Sequence, residues 1–238
     1  EGLLKGLCVE FIPISRYKPT RFFDNKDYIN EYLKNAKKSE NINLHKFTDF
    51  ANRWLKEFDL GDKIRKLSYK NTFYEFQIRK NNKWFDIIDN GSGVIQLIPI
   101  ILNISSQKLK KGFGSPHFHK TIIIEEPEIN LHPKFQSKLA DFFVDAIKNF
   151  DISIILETHS EYLIRKLQYL TAKKEIKPAD TIIHYFHHPD KIPKGEEQFK
   201  QINILEDGSL SKDFGPGFFD EADNLAMELF KYTKISKN

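Results

Sequence analysis

Two short β-branched runs, Thr121-Ile122-Ile123-Ile124 and Ile152-Ser153-Ile154-Ile155-Leu156, flank a stretch whose apolar residues recur at helical spacing. Between them Pro133 opens the helical pattern, and Phe135, Leu139, Phe142, Phe143, Ala146 and Ile147 form one stripe down to about Asn149. Strand, helix, strand at this spacing predicts a βαβ unit with two buried parallel strands. Upstream, residues 41–58 place Leu44, Phe47, Ala51, Trp54, Leu55 and Phe58 on one helical face; Asp59-Leu60-Gly61 is expected to stop it, with Gly61 as the C′ residue. Thr72 to Arg79 alternates, Lys80-Asn81-Asn82-Lys83 turns, and Trp84 to Ile88 returns, which reads as a β-hairpin. An apolar helix follows to about Ser105. Beyond the second run, Tyr162, Leu163, Ile164 and Leu167 continue a helix with Ser160 or Thr158 as its cap. Thr181 to Phe186 reads as a further buried strand, and Phe199 to Leu205 alternates into the turn Glu206-Asp207-Gly208-Ser209.

Each strand of the βαβ unit ends in ionisable residues: Glu125-Glu126-Pro127-Glu128 after the first, Glu157-Thr158-His159-Ser160 after the second. In open α/β sheets ligands sit at the carboxyl ends of the strands. Parallel pairing therefore brings Glu125, Glu126 and His159 together. A solvated strand end also carries carboxylates, so the pattern needs its neighbours to acquire meaning. Two follow at once: the turn Leu131-His132-Pro133, and the Gly91-Ser92-Gly93 sequence with Gln96 ahead of the first strand. Glycines there let backbone approach a phosphate, and Ser92 stands at a helix N-terminus, where amides and dipole favour an anion. An ordinary Gly-Ser turn before a helix has the same letters.

Composition narrows the class. The 238 residues are 40% hydrophobic with 21 Phe, enough for a real core, and suggest one or two domains. No run of 18 apolar residues occurs and no signal peptide is visible, so no membrane partner is expected. The single cysteine, Cys8, excludes an internal disulfide and a cysteine metal site, which suits a cytoplasmic protein. A net charge of +4 allows a nucleic-acid partner without demanding one. The basic segment 107–120 reads as a solvated loop, with DNA contact as the alternative. His187-His188 with Asp190 lacks a third ligand at a metal-binding spacing and reads as a polar loop. The only methionine is Met227 and the chain starts at Glu1, so a fragment or processed chain is expected.

Glu125-Glu126-Pro127-Glu128 with Leu131-His132-Pro133, His159 one strand further on, and Gly91-Ser92-Gly93 with Gln96 resemble, in turn, the Walker B strand, the switch histidine and the signature motif of ABC-type ATPase heads. The match is nearest to the SMC/RecF-like relatives grouped with the overcoming-lysogenisation-defect branch. The resemblance implies an α/β fold of the P-loop NTPase superfamily: the C-terminal lobe of a head, with a parallel core sheet flanked by helices and an N-terminal helical and hairpin insertion. It covers roughly residues 85–220. It divides the chain into the insertion (1–84), the ATPase lobe (85–212) and a C-terminal extension (213–238), where Gly217-Phe218-Phe219-Asp220-Glu221 precedes a last helix. The Phe11-Ile12-Pro13-Ile14-Ser15-Arg16 segment is similar to the strand and loop ahead of the helical insertion in such heads. Phe218 and Phe219 are expected to staple the last helix to the body.

By resemblance, Glu125 holds Mg2+, Glu126 orients the attacking water, and His159 contacts the γ-phosphate of ATP. Transporters more often carry Asp at the position of Glu125. Gly91, Ser92, Gly93 and Gln96 dock onto ATP held by the opposing subunit, so the implied partners are a second head or a P-loop-bearing N-terminal lobe, with DNA or an associated nuclease beyond. DNA handling or phage defence is the implied setting. No Gly-x-x-x-x-Gly-Lys-Ser/Thr cradle occurs in the sequence, so the chain alone is expected to be inactive. Two other readings stand beside this one. The first is a metal-dependent nuclease built from Glu125, Glu126, Glu128 and Glu157. The second is a degenerate head kept for interaction.

Overall fold

A computed structural model describes residues 8–13, 44–69, 73–107, 119–192, 195, 197–215 and 218–235. The basic linker from 108 to 118 and the Pro-rich segment beyond Pro13 lie outside the described residues. The chain forms two compact units, Glu1–Ser160 and Glu161–Asn238. This cut separates compact bodies, whereas boundaries at 84 and 212 separate sequence motifs.

The first unit is built on a three-stranded sheet of β1 (Cys8–Ile12), β5 (Lys120–Glu125) and β6 (Ile152–Glu157), in the order β1-β5-β6 and parallel throughout. The expected βαβ unit is present, with α3 (Pro133–Asn149) as its crossover. Ile12 pairs with Ile124, and Ile124 with Leu156. One face of the sheet, with Ile12, Ile122, Ile124 and Ile152, is buried. The other face is not. Val9 and Phe11 are each 48% exposed and Ile155 is 53% exposed. The β-branched runs read as strands buried on both sides; the structure buries one side.

A second sheet is antiparallel: β2 (Lys63–Tyr69), β3 (Phe73–Lys80) and β4 (Lys83–Asp86). The hairpin β3-β4 is as expected, closed by Asn81 and Asn82 at φ 51° and 59°. Both central residues in the left-handed region define the turn that matches strand twist, and asparagine tolerates it. Strand β2 has no clear mark in the sequence; Lys63-Ile64-Arg65-Lys66-Leu67 alternates too weakly to stand out.

Helix α1 (Leu44–Glu57) buries Phe50, Ala51, Trp54, Leu55 and Phe58. Phe50 belongs to this face although the stripe read from the sequence omits it. The helix stops within Asp59-Leu60-Gly61 as expected, but Gly61 is not the C′ residue. Asp59, at φ 54°, is the left-handed residue, with Asp59 N–H donating to Lys56 C=O at 2.9 Å and Leu60 N–H to Leu55 C=O at 2.9 Å. That pair of bonds is the Schellman stop. Gly61 is needed for space instead: a Cβ there would sit 2.3 Å from Ile78 Cγ2 and 2.5 Å from Arg79 O.

Phe50, Trp54 and Phe58 mesh with Phe142 of α3, the Trp54–Phe142 and Phe50–Phe150 rings meeting edge to face at 5.1 and 4.8 Å. The Trp54 indole donates to Asp145 at 2.7 Å, satisfying its N–H. Lys138 pairs with Glu57 across the same two helices, and this hydrogen bond holds the Glu57 carboxyl below its usual range. Helix α2 (Ser92–Ser105) is apolar nearly all round and buries Leu97 through Ser105.

The second unit holds α4 (Glu161–Ala172), the antiparallel pair β7 (Ile182–Phe186) and β8 (Phe199–Asn203), and α5 (Glu221–Ile235). Strand β7 is not the buried strand its apolar run suggested. It belongs to a two-stranded ribbon with Ile182 and Phe186 largely exposed, because only Ile183 and Tyr185 face the core of Ile164, Ile202 and Phe214. Phe218 and Phe219 pack on Phe214 at 4.5 and 4.9 Å, and Arg165 lies over Phe219. Phe214 is thus the buried anchor of the C-terminal aromatics. Helix α5 itself leaves Leu225, Met227, Leu229, Phe230 and Tyr232 exposed. Among the described residues no helix is long and apolar enough to cross a membrane.

Candidate functional site

The site forms where β5 and β6 end. Register pairs Glu125 with Glu157, so both strands release their chains at the same level. Along β5 the buried side chains are Ile122 and Ile124, so strand alternation turns Glu125 toward the open face. Glu126 then leaves the strand with its backbone at φ 39°, while its N–H still donates to Glu157 C=O at 2.8 Å. A non-glycine residue there is strained, and such strain clusters at functional sites. Pro127 and a tight turn follow: Ile129 N–H donates to Glu126 C=O at 3.1 Å and Leu131 N–H to Glu128 C=O at 3.0 Å.

His159 comes from the matching loop after β6. Its Nε2 stands 3.9 Å from Glu126 Oε1, with the imidazole side chain 78% and the carboxylate side chain 31% exposed. Both groups can therefore meet a ligand from solvent. The parallel pairing brings together the two residues expected to do so.

Glu128 does something else. It is 8% exposed, and its Oε1 accepts a hydrogen bond from the His159 backbone N–H at 2.7 Å. The sequence carries Glu128 in the Walker B-like motif without a role of its own, and in the nuclease reading as a metal-binding carboxylate. A second polar link runs beside it. Ser160 Oγ donates to Gln136 Oε1 at 2.7 Å, and Gln136 Nε2 donates to Leu131 C=O at 3.0 Å. Ser160 N–H donates to Thr158 Oγ1 at 3.1 Å, a local turn bond just ahead of the next helix. No sequence signal marks Gln136, since a polar residue in the first turn of a helix is unremarkable. His132 caps α3, its Nδ1 accepting from Lys134 N–H at 3.2 Å.

The Gly91-Ser92-Gly93 turn opens α2, with Gly91 as the cap residue and Val94 N–H donating to Gly91 C=O at 3.0 Å. Gly91 and Ser92 are exposed, and a Cβ on Gly91 would meet nothing within 4 Å. Gly93 is the opposite case: a Cβ there would stand 2.6 Å from Asn130 O. Its smallness lets the start of α2 press on the turn that follows Glu126. The structure thus joins the signature-like turn to the Glu125-Glu126 loop within one chain. Gln96 is half-buried one turn further along α2.

Among the described residues no three His, Cys, Asp or Glu side chains are grouped so as to hold a metal ion. His188 Nδ1 instead accepts from Asp190 N–H at 3.3 Å, a local loop contact.

Comparisons with known proteins now bear on this geometry. No curated protein matches the chain. Residues 176–229 match a family described as a protein of unknown function (DUF3696). A solved structure, the Smc head domain with an extended coiled coil bound to the C-terminal domain of ScpA from Pyrococcus furiosus, aligns at 12% identity and a TM-score of 0.37. The alignment covers 52% of this chain and 30% of that one, so the chain spans under a third of the matched structure's length. Residues 16–164 match the family described as AAA ATPase domain, a span that holds the signature-like turn, both strand-end glutamates and His159. With more than half of its residues in that match, the chain belongs to the AAA ATPase domain family.

Proposed function

We propose that this chain is the part of an ATP-hydrolysing head that activates water and senses the γ-phosphate, working with a P-loop supplied from outside its 238 residues. The observation that carries the reading is the 3.9 Å approach of the His159 imidazole to the Glu126 carboxylate, at the carboxyl edge of a parallel sheet and open to solvent. Glu126 is the base that orients the attacking water. His159 contacts the γ-phosphate. Glu125 fits Mg2+: it is a hard oxygen ligand at the strand end, and magnesium takes one or two carboxylates, leaving its other positions to phosphate and water. When bound, the ion would neutralise charge on the phosphates. Ser92, exposed at the start of α2 between Gly91 and Gly93, acts on the nucleotide of an opposing head, with Gln96 behind it.

The open sheet face among the described residues supports a further covering layer. Parallel sheets are normally covered on both sides, and here Val9, Phe11 and Ile155 remain about half exposed. A P-loop-bearing lobe is the cover that also provides the phosphate cradle. A role in DNA handling or phage defence is carried over from the resemblance, and a cytoplasmic location from the single cysteine and the apolar pattern. The nuclease reading draws no support from the inward turn of Glu128 to a backbone amide.

The test is Glu126→Gln in the intact ATPase containing this chain. ATP binding should survive, and phosphate release should fall by about two to four orders of magnitude, the usual contribution of a positioned base. Turnover at the wild-type rate would overturn the assignment. Magnesium-dependent DNA cleavage without phosphate release would move the protein to the nuclease class.

A further inference from the structure

Direct hydrogen bonds join the two loops at the site. Glu126 N–H donates to Glu157 C=O at 2.8 Å, and His159 N–H donates to Glu128 Oε1 at 2.7 Å. The first bond prolongs the backbone ladder of β5 and β6 and is indifferent to side chains. The second exists only because residue 128 carries an acceptor of the right reach. Its setting is costly. Glu128 is 8% exposed, and its other oxygen, Oε2, is buried with no hydrogen-bond partner. A buried carboxylate is unfavourable unless compensated, and an apolar side chain of similar volume is often the more stable choice. Packing alone does not explain a glutamate here.

The geometry points to Glu128 as the positioning residue of this site. It holds the backbone at residue 159 against the rigid turn that also carries Glu126, and so sets the separation of the imidazole from the carboxylate. The turn is stiff because Ile129 and Leu131 amides close it on Glu126 and Glu128 carbonyls, and because Glu126 and Asn130 sit at φ 39° and 60°. One side chain anchored in that turn therefore fixes a second loop. Gln136 steadies the next residue through Ser160 Oγ, leaving residue 159 to Glu128. The inference rests on the ATPase reading of the site, but the contact itself does not.

Glu128 acts as an acceptor, not as a proton carrier or a metal ligand, and this separates its variants. Glu128→Leu removes the acceptor; Glu128→Gln keeps one. In the intact ATPase, Glu128→Leu should lower kcat by about 100-fold, the scale of misplacing a reacting group by about 1 Å. The KM for ATP should stay within about threefold, because the loss lies in the transition state. Glu128→Gln should restore kcat to within about threefold of wild type. Glu128→Met serves as the acceptor-free variant should the leucine variant not fold.

Backbone amide exchange of the 238-residue chain supplies a readout independent of turnover. The residue 159 amide should exchange faster in Glu128→Leu and unchanged in Glu126→Gln. Wild-type turnover in the leucine variant, or unaltered exchange at residue 159, overturns the inference. So does a Glu128→Gln variant as damaged as the leucine one, since the charge would then be what acts. A wild-type head that releases no phosphate sinks the ATPase reading, while exchange at residue 159 still decides whether Glu128 holds the loop.

Discussion

Gly93 shows how one missing methyl shapes the site. Beside Ser92 it reads as a phosphate-approach glycine, yet its nearest obstacle is the Asn130 carbonyl, 2.6 Å from where a Cβ would lie. The obstacle is backbone, held by a turn that contains two positive-φ residues. It cannot step aside cheaply. Gly93→Ala should therefore destabilise the chain by about 1–3 kcal/mol, the usual cost of forcing extra volume into a packed contact. Gly91→Ala, with open space around it, should change stability by no more than about 0.5 kcal/mol. Urea unfolding of the two variants checks the contrast; equal losses would show that the α2 start is not pressed on the Glu126 turn. Glu126 illustrates the complementary case, a side chain needed where glycine would be easier. Its φ of 39° costs on the order of 1–3 kcal/mol, which the turn and the Glu157 bond must offset.

At the scale of elements, α3 and α1 are held by rings. Phe142 is fully buried and touches Phe50, Trp54, Phe58 and Phe143, with centroids between 5.1 and 6.0 Å. Its stripe position alone places it in the core, and the structure adds that the partner is α1. Phe142→Ala should cost about 3–5 kcal/mol by transfer and cavity terms together. Phe11→Ala on the open sheet face should cost far less, since Phe11 is already half in water. Chemical denaturation measures both. A small loss for Phe142 would mean the α1–α3 contact is dispensable. The crossover matters to the chemistry because α3 carries Gln136, and the strands it connects carry the carboxylates and the imidazole.

For the whole molecule, the proposed docking of one head on another can be tested at Ser92. Ser92→Arg places a bulky cation on an exposed turn and should leave the fold and single-head nucleotide affinity nearly intact. If Ser92 acts on the opposing subunit's nucleotide, as proposed, ATP-driven association of the intact heads should be lost. Sedimentation with and without ATP checks this, and unchanged association would remove the role across the interface. The chain alone should release no phosphate, having no P-loop sequence.

The sequence by itself determined the parallel βαβ unit, the helices that precede and follow it along the chain, and the Glu126–His159 meeting point. Those follow from local patterns: period 2 or 3.6 in the apolar residues, and the rule that parallel strands end on the same side. Its ATPase family was legible in the same motifs. Only the tertiary structure decided the rest. Glu128 and Gln136 owe their roles to residues 31 and 24 positions away, which no local pattern encodes. Asp59 rather than Gly61 ends α1 because the stop depends on which residue takes the left-handed conformation, while Gly61 answers to β3 packed against it. Strand β7 lies half in water because its partner is a single antiparallel strand, and an apolar run carries no mark of how many layers will cover it.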